Sequence, residues 1–511
     1  MSYLTKENVL DTHPVYDQYI GRWRYLYASF NGGFDYRKPR LEMLRRYLNE
    51  DQAPGNQYQN RLNYTALENA CKLVTDTYRS FLFRTLPART LGNLQPLPFS
   101  QDFIDNIDLD GTDIDAFMKN CNTYAMVYGH VWVLVDKPTV EGVQTLEQEI
   151  AMGIRPYAQI VTPEAVLDWN YERILGRYEL TYLKMRESED DESVTVRVWH
   201  QDTIQRYKYM KDDANNKSNL ILLEEIPNTI GKIPFQLLKA NHTNMRGVGM
   251  SDITDVAKIQ QAIFNLLSEA EAAIRVGSHP SLVKTASTDA SAGAGSIITM
   301  DENTDPNLKP YLLSPAGTPI DSIVKMLQEH QKMIAKMTHL EAVMAEKTVA
   351  KSGVALQTEM AMLNTRLGDK ADALEQFEYK LWELFQLWTG VEADDQFSIE
   401  YRKKFDIRDE NNDLANYKTV LEMNIPSETL NKELYKQISK IVLRNAEKMD
   451  DVVRDIEGGE MEHPVTDEIN RVPHIQEMIM NGLSDQEMLD LHPEISQADI
   501  DEAKAKLLEN N

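Results

Sequence analysis

Cysteine is nearly absent from these 511 residues: Cys71 and Cys121 are the only two. That excludes a disulfide framework and favours a reducing compartment. Long apolar runs are missing too. No stretch reaches the roughly 20 residues that a bilayer-spanning helix needs, and the N-terminus has no signal-peptide pattern. No membrane partner is therefore expected. The common catalytic signatures are also missing. There is no Gly-x-x-x-x-Gly-Lys-Ser/Thr phosphate loop, no His-Glu-x-x-His, no Cys/His zinc spacing and no Gly-x-Ser-x-Gly elbow. The expectation is a protein that is not an enzyme, with no cofactor and no metal. No short repeat is visible, which argues against a solenoid.

Positive charge is in short supply. Lys and Arg number 54 against 80 Asp and Glu, a net charge of −26. Such a balance favours solubility and argues against a tight nucleic-acid binder, because phosphates want Lys and Arg. It does not exclude a wall that DNA slides past without sticking. In so acidic a chain, neighbours such as Asp190 and Asp191 say nothing about acid–base catalysis. The stretch Asn106-Ile-Asp-Leu-Asp-Gly111 resembles the start of a calcium loop. Its twelfth place, where a bidentate Glu belongs, is Phe117, so we read an acidic turn and helix cap. His130, beside a strand, reads as a partly buried edge residue.

What is present is organised around Gly249–Trp388. Ser251–Val276 has no Gly or Pro and repeats apolar residues on one helical face, from Ile253 through Phe264 to Ile274. Ser251 or Asp252 can cap its start, and Gly277 closes it. A second amphipathic helix follows Pro319 and reaches Ala345. Each rod is roughly 40 Å long. Between them, a Gly-, Ser-, Asp- and Pro-rich excursion carries short β-like runs at Ser281–Lys284, Ser296–Met300 and Leu308–Leu313, with Ser291–Gly295 as a flexible tip. Narrow apolar stripes need neighbours, and copies of the same pair would supply them. Glu346–Gly353 is a short Lys- and Gly-bearing loop. Ser352 or Gly353 then opens a third helix towards Trp388, with Gly368 as a point of interruption or kinking.

Before this region, residues 1–50 are basic and aromatic. Tyr16, Tyr19, Trp23, Tyr25 and Tyr27 alternate with Arg22 and Arg24, and Arg37, Lys38, Arg40, Arg45 and Arg46 follow. Such a pattern can stack on nucleic acid. We prefer the plainer reading, a helix packed on the rest of the chain with Arg stems over apolar surface. Residues 60–90 read as helix ending at Pro87, and 112–128 as helix. Strand-like runs follow at His130–Asp136, Tyr157–Thr162, Leu180–Met185, Val194–His200, Thr203–Met210 and Leu220–Leu223, read as an antiparallel meander. Gly231–Phe235 leads from it towards the first rod. Phe397–Tyr401 is a last short strand, and 416–511 is charged and helical.

In this pattern the chain resembles the portal proteins of tailed double-stranded DNA bacteriophages. Four pieces carry the likeness: Tyr124–Pro138 with Ile160–Trp169; Gly231–Phe235 leading through Ser251–Val276 to His279-Pro-Ser-Leu-Val283; Pro319–Ala345; and Glu346–Gly353 with the helix after it. The likeness is architectural and weakest after about Met461. It implies an α+β, mainly α-helical fold of wing, stem, clip and crown. The corresponding domains are a wing over 1–248, stem helices over 249–277 and 319–345, and a clip over 278–318. A tunnel loop over 346–353, a wing helix and return over 354–410 and a helical crown over 411–511 complete the set. The resemblance further implies a ring homo-oligomer, in this family typically a dodecamer, at one vertex of the virion capsid, assembled in the host cytoplasm. DNA is packaged and ejected through its channel. The implied partners are the terminase large subunit and then head-completion or adaptor proteins at the clip, major capsid and scaffold proteins at the wing, and double-stranded DNA without sequence preference.

Candidate channel residues follow. Lys325, Lys332 and Lys336 recur at i, i+7 and i+11, close to one helical face, and Lys347, Lys351 and Gly353 sit on the tunnel loop. The lysines can equally form a solvated face or pair with Glu329 and Glu346. Clip docking is assigned to Ser281, Lys284, Gly293, Gly295 and Lys309. The alternatives are a helical virion adaptor or scaffold without a channel, and an enzyme using carboxylates in an acidic cleft.

Overall fold

The computed structural model describes residues 9–48, 50, 57–138, 142, 145–211, 220–278, 281–284, 305, 307, 310–313, 318–341, 353–403, 405, 417–421, 428–442, 452–456, 475, 478–479, 484–485, 497, 500–501 and 503–504. In chain order the elements are α1 (Pro14–Asn31), α2 (Gly33–Tyr36), α3 (Gln57–Tyr64), α4 (Ala70–Leu82), β1 (Ala88–Thr90), α5 (Ser100–Asp105), α6 (Ile114–Tyr128), β2 (His130–Asp136), α7 (Leu146–Met152), β3 (Tyr157–Val161), β4 (Val166–Ile174), β5 (Arg177–Glu189), β6 (Ser193–His200), β7 (Thr203–Met210), β8 (Ile221–Pro227), β9 (Phe235–Lys239), α8 (Thr254–Ser278), β10 (Ser281–Val283), β11 (Tyr311–Leu313), α9 (Thr318–Thr338), α10 (Gly353–Thr389), β12 (Ser398–Glu400) and α11 (Glu428–Val442). The fold is thus mixed helix and sheet. Two compact units divide it, Met1–Asp406 and Ile407–Asn511.

The strands do not form one meander, as the sequence suggests, but two sheets. One is a five-stranded antiparallel meander of order β4-β5-β6-β7-β8; the other has order β3-β2-β9. Gly231–Phe235 does not lead straight to the first rod. Phe235 opens β9, which pairs with β2 from Phe235↔Leu134 to Lys239↔His130. Central position explains the composition of β2: its residues His130–Val135 are all buried, so the run is apolar on both faces. His130 is accordingly no edge residue. It is fully buried, its ring lies 5.5 Å from that of Trp23, and neither ring nitrogen has a hydrogen-bond partner. Burial, helped by the charge of Lys239, pushes its pKa down to about 3. Pro156 and Pro163 flank β3, an edge strand, where a residue without an N–H costs no ladder bond.

The N-terminal basic stretch packs. Trp23, Leu26 and Tyr16 of α1 are buried, Arg24 pairs with Glu164 at 3.2 Å, and Arg22 donates to the Thr254 hydroxyl. Residues 60–90 are two helices, α3 and α4, followed by β1, which pairs with β12 some 300 positions on (Arg89 opposite Ile399). The 106–113 turn is what its polar side chains can build. Asp108 accepts from the Asp110 and Thr112 amides, Asn106 from Gly111, and Asp113 caps α6 through the Ala116 amide. Cys71 and Cys121 are both free and buried, and burial pushes both thiols up in pKa. No helix of the described residues is long and apolar enough to cross a membrane.

The rods form, but not as equals. The first, α8, has 25 residues and runs one residue past Gly277; the second, α9, has 21 and stops at Thr338, short of Ala345. Their lengths are about 38 and 32 Å. The stop is a Schellman turn. His339 adopts a left-handed φ of 55°, its amide donates to Lys336, and the Leu340 amide donates back to Ala335 at 3.0 Å. Helix α10 runs through Gly368 without interruption for 37 residues. Strands β10 and β11 pair with each other, Ser281↔Leu313 to Val283↔Tyr311, closing the base of the excursion. Ser296–Met300 and Ser291–Gly295 lie outside the described residues.

Candidate functional site

Burial along the rods shows how they are held. On α8, Val256, Ala257, Ile263 and Phe264 are buried, while Ile274 near its other end is 52% exposed. On α9 the order is reversed: Ile334, Ala335 and Thr338 are buried, while Val324 and Met326 are exposed. The start of α8 and the end of α9 therefore share one root in the core, and the pair runs antiparallel away from it.

That root is built by α4, α6 and α10. The Ser251 hydroxyl accepts from the Ile253 amide at 3.1 Å, one residue ahead of α8, but it is tied to α6 as well. The Ser251 hydroxyl and the Asp252 amide both donate to the Met126 carbonyl at the end of α6, at 2.9 and 3.0 Å. The approach depends on two glycines. Gly129 closes α6 at φ 98°, and a Cβ there would stand 2.4 Å from the Gly249 carbonyl oxygen; a Cβ on Gly249 would stand 2.2 Å from that of Gly129. The Asp252 carboxylate, 1% exposed, turns instead to α10. It pairs with Lys370 at 2.6 Å and Arg366 at 3.2 Å, and accepts from the Asn241 amide. Arg366 also donates to the Met337 carbonyl on the last turn of α9 and lies over the Tyr78 ring, whose hydroxyl donates to the Thr338 carbonyl at 2.5 Å. One arginine thus joins the beginning of one rod to the end of the other.

A second buried cluster fixes α10 to the rest. Glu378, fully buried, accepts two bonds from Arg89 at 2.5 and 3.1 Å and one from the Tyr401 hydroxyl at 2.6 Å. Arg89 reaches Asp115 as well, at 2.8 Å. On its far side α10 docks on the small sheet, where Trp388 donates to the Val135 carbonyl. Neither cluster was anticipated from the sequence. Their central ion pairs, Asp252 with Arg366 and Lys370 and Arg89 with Glu378, join residues more than a hundred positions apart, and an acid at a helix start has an ordinary explanation in capping.

Along its open side, from Lys325 to the last turn, α9 displays two parallel stripes. Lys325, Lys332 and Lys336 are exposed, and Lys332 pairs with Glu329 at 2.7 Å. One residue after each lysine stand Met326, Met333 and Met337, which are 49%, 49% and 38% exposed. Successive residues are about 100° apart on a helix, so the methionine stripe runs beside the lysine stripe. From the sequence the lysines were expected, and Met337 only as part of the rod's apolar face; the lysine spacing could have revealed the methionine stripe.

The other expected residues are scattered or undescribed. Gly353 is the first residue of α10, Ser281 the first of β10, and Lys284 is exposed just after it. Lys347, Lys351, Gly293, Gly295 and Lys309 lie outside the described residues. Among the described residues, no group of His, Cys, Asp or Glu is placed to hold a metal ion. The arrangement suits weak, sequence-independent contact with phosphates by lysines, and side-by-side packing through methionines.

The family model described as "Phage portal protein, SPP1 Gp6-like" matches residues 29–434 of the chain. No curated protein matches it.

Proposed function

Because the chain belongs to the phage portal protein family, whose role is structural and lies at the capsid portal, we propose that it forms a closed ring, a dodecamer, through which DNA is packaged and ejected. In this reading 1–248 with 354–410 is the wing, α8 and α9 are the stem, 278–318 is the clip, 346–353 the tunnel loop and 411–511 the crown. The observation that carries it is the antiparallel rod pair. It leaves the core with falling burial and exposes a methionine stripe that a neighbouring copy would cover. The lysine stripe beside it then faces the axis, and each lysine becomes a ring of positive charge in an otherwise acidic protein. Lys347 and Lys351, with Gly353 as hinge, contact DNA at the narrowest point. The clip, with Ser281, Lys284, Gly293, Gly295 and Lys309, receives the terminase large subunit and later head-completion proteins. Capsid and scaffold proteins meet the wing.

Native mass spectrometry and negative-stain imaging test the ring: a closed oligomer with an axial hole is expected. Packaging assays then test the lysines. Lys325→Glu/Lys332→Glu/Lys336→Glu and Lys347→Ala/Lys351→Ala are expected to assemble but to shorten packaged length or lose retained DNA. Packaging unchanged in both would remove the channel assignment. A protein that binds other virion proteins but never closes would be an adaptor instead.

A further inference from the structure

The five-stranded sheet ends in an edge that ordinary folds avoid. Strand β8, Ile-Leu-Leu-Glu-Glu-Ile-Pro, pairs only with β7 among the described residues. Ile221, Leu222 and Leu223 are 56%, 44% and 48% exposed, and Glu224 and Glu225 follow in the open. An uncovered apolar edge invites another chain. The two glutamates, however, oppose pairing with a second β8, because like charges would meet across the ladder. The edge is therefore selective for a positively charged acceptor.

Such an acceptor exists in the same molecule. A groove of about 620 Å³ opens between the β4–β5 hairpin, β9 and α10. Five cationic side chains line it, Arg177, Lys232, Lys239, Arg246 and Lys380, against two acidic ones, Glu179 and Glu383. That is a formal surplus of three positive charges in a chain of net charge −26. Glu179 is occupied by Arg177 at 2.6 Å. Lys232 and Lys380 are exposed and have no carboxylate partner among the described residues. Arg246 lies 3.5 Å over the Tyr178 ring, and Lys239 donates to the Met245 carbonyl. Burial and then the charge of Arg246 lower the pKa of Lys239, as expected where cations crowd without a counter-charge. The walls between are apolar or aromatic, including Ile233, Leu237 and Phe377.

We propose that this groove is one half of a subunit contact and that the β8 edge of a second copy, with Glu224 and Glu225, is the other half. No β8 residue lines the groove, and the strand order puts β8 at the far side of the sheet from β4 and β5. The contact joins two different surfaces, so it is head-to-tail, the kind that closes into a ring. Charge complementarity selects the occupant. With the groove set aside, the surface of every other copy is more acidic still. The proposal rests on the ring reading above.

The test uses the full chain. Glu224→Lys/Glu225→Lys and Lys232→Glu/Lys380→Glu are each expected to raise the concentration for half-assembly on the order of tenfold or more. The combination of all four is expected to restore most of the loss, since the charges again oppose. Independently, Leu223→Cys/Lys380→Cys with a short bismaleimide is expected to give a ladder of covalent oligomers, because the native cysteines are buried. Wild-type rings with no ladder, and with assembly indifferent to both reversals, would overturn this contact and leave the ring reading standing. Groove reversal that acts alone, with no rescue, would assign the groove to another anion, nucleic acid or an acidic partner, and also overturn it. A wild-type chain that stays monomeric at all concentrations would sink both.

Discussion

Asp252→Asn probes the root of the rods with the least change of shape. In the native chain its carboxylate is 1% exposed, and its two cationic partners are 7% (Lys370) and 27% (Arg366) exposed. Removing one member of a buried pair leaves the other charge without compensation, at a cost of about 3–5 kcal/mol. Arg366 is partly exposed and can turn to water, so we take the lower end, about 3 kcal/mol, or on the order of a hundredfold in the opening equilibrium. The loss should be local first. Amide exchange should quicken at the start of α8, around 253–260, and at the end of α9, around 334–341, before the β2 strand responds. Equilibrium unfolding in urea, followed by tryptophan fluorescence, gives the total. The second variant supplies the control. In Asp252→Asn/Lys370→Met no fully buried charge is left, so the double variant should recover at least half of the loss. If the single change costs less than about 0.5 kcal/mol, or the double change is worse than the single, the clamp has been misread.

Two further outcomes follow from buried groups. His130 stays neutral when folded down to about pH 3, whereas unfolded it takes a proton near pH 6.5. Stability is thus unaffected above that value and lost as pH falls from about 6.5 towards 3. His130→Leu should remove about 2 kcal/mol of the decline between pH 8 and pH 5, read from urea midpoints, and an unchanged pH slope would show that His130 is solvated. Tyr401→Phe deletes the hydroxyl that donates to buried Glu378 while Arg89 stays. A loss of about 2 kcal/mol is expected by thermal or urea unfolding, and none would mean the carboxylate is satisfied without it.

The long helices were legible because their signal is local. An apolar face repeats along α8 with no Gly or Pro before Gly277, and nothing else competes for the pattern. The end of α9 was not, because periodicity continues past it through Leu340 and Met344, and the residue that turns the chain is His339 rather than glycine. The division into two sheets was hidden for another reason. Strands β3 and β4 are joined by a short turn, with the Ala165 amide on the Thr162 carbonyl, and read like successive strands of one meander. The partner of β2 that completes the small sheet is β9, a five-residue strand about a hundred positions away. Pairing at that range leaves no trace in composition. The candidate site divides in the same way. Lysines at i, i+7 and i+11 can be counted on one helix, whereas Asp252, Arg366 and Lys370 come together only once α10 has crossed the rod roots.

The same contrast bears on how the rods hold their shape. Beyond the root, each continues for roughly 20 Å, a length at which an isolated helix in water is marginal even with favourable residues. Among the described residues these distal halves have each other and the three-residue β10–β11 pairing, and Met326, Met333 and Ile274 are left about half exposed. The platform, by contrast, has a continuous core running from α1 through β2 to α10. A fold so divided places its stability in the platform, and in the ring proposed above neighbouring copies would complete the rods. Contacts made by the platform, such as a cationic groove meeting an acidic edge, would set the spacing between copies before the methionine stripes meet. In a chain of net charge −26, that sequence of events matters, since bringing the rods together without an attractive contact elsewhere would work against the repulsion of the whole surface.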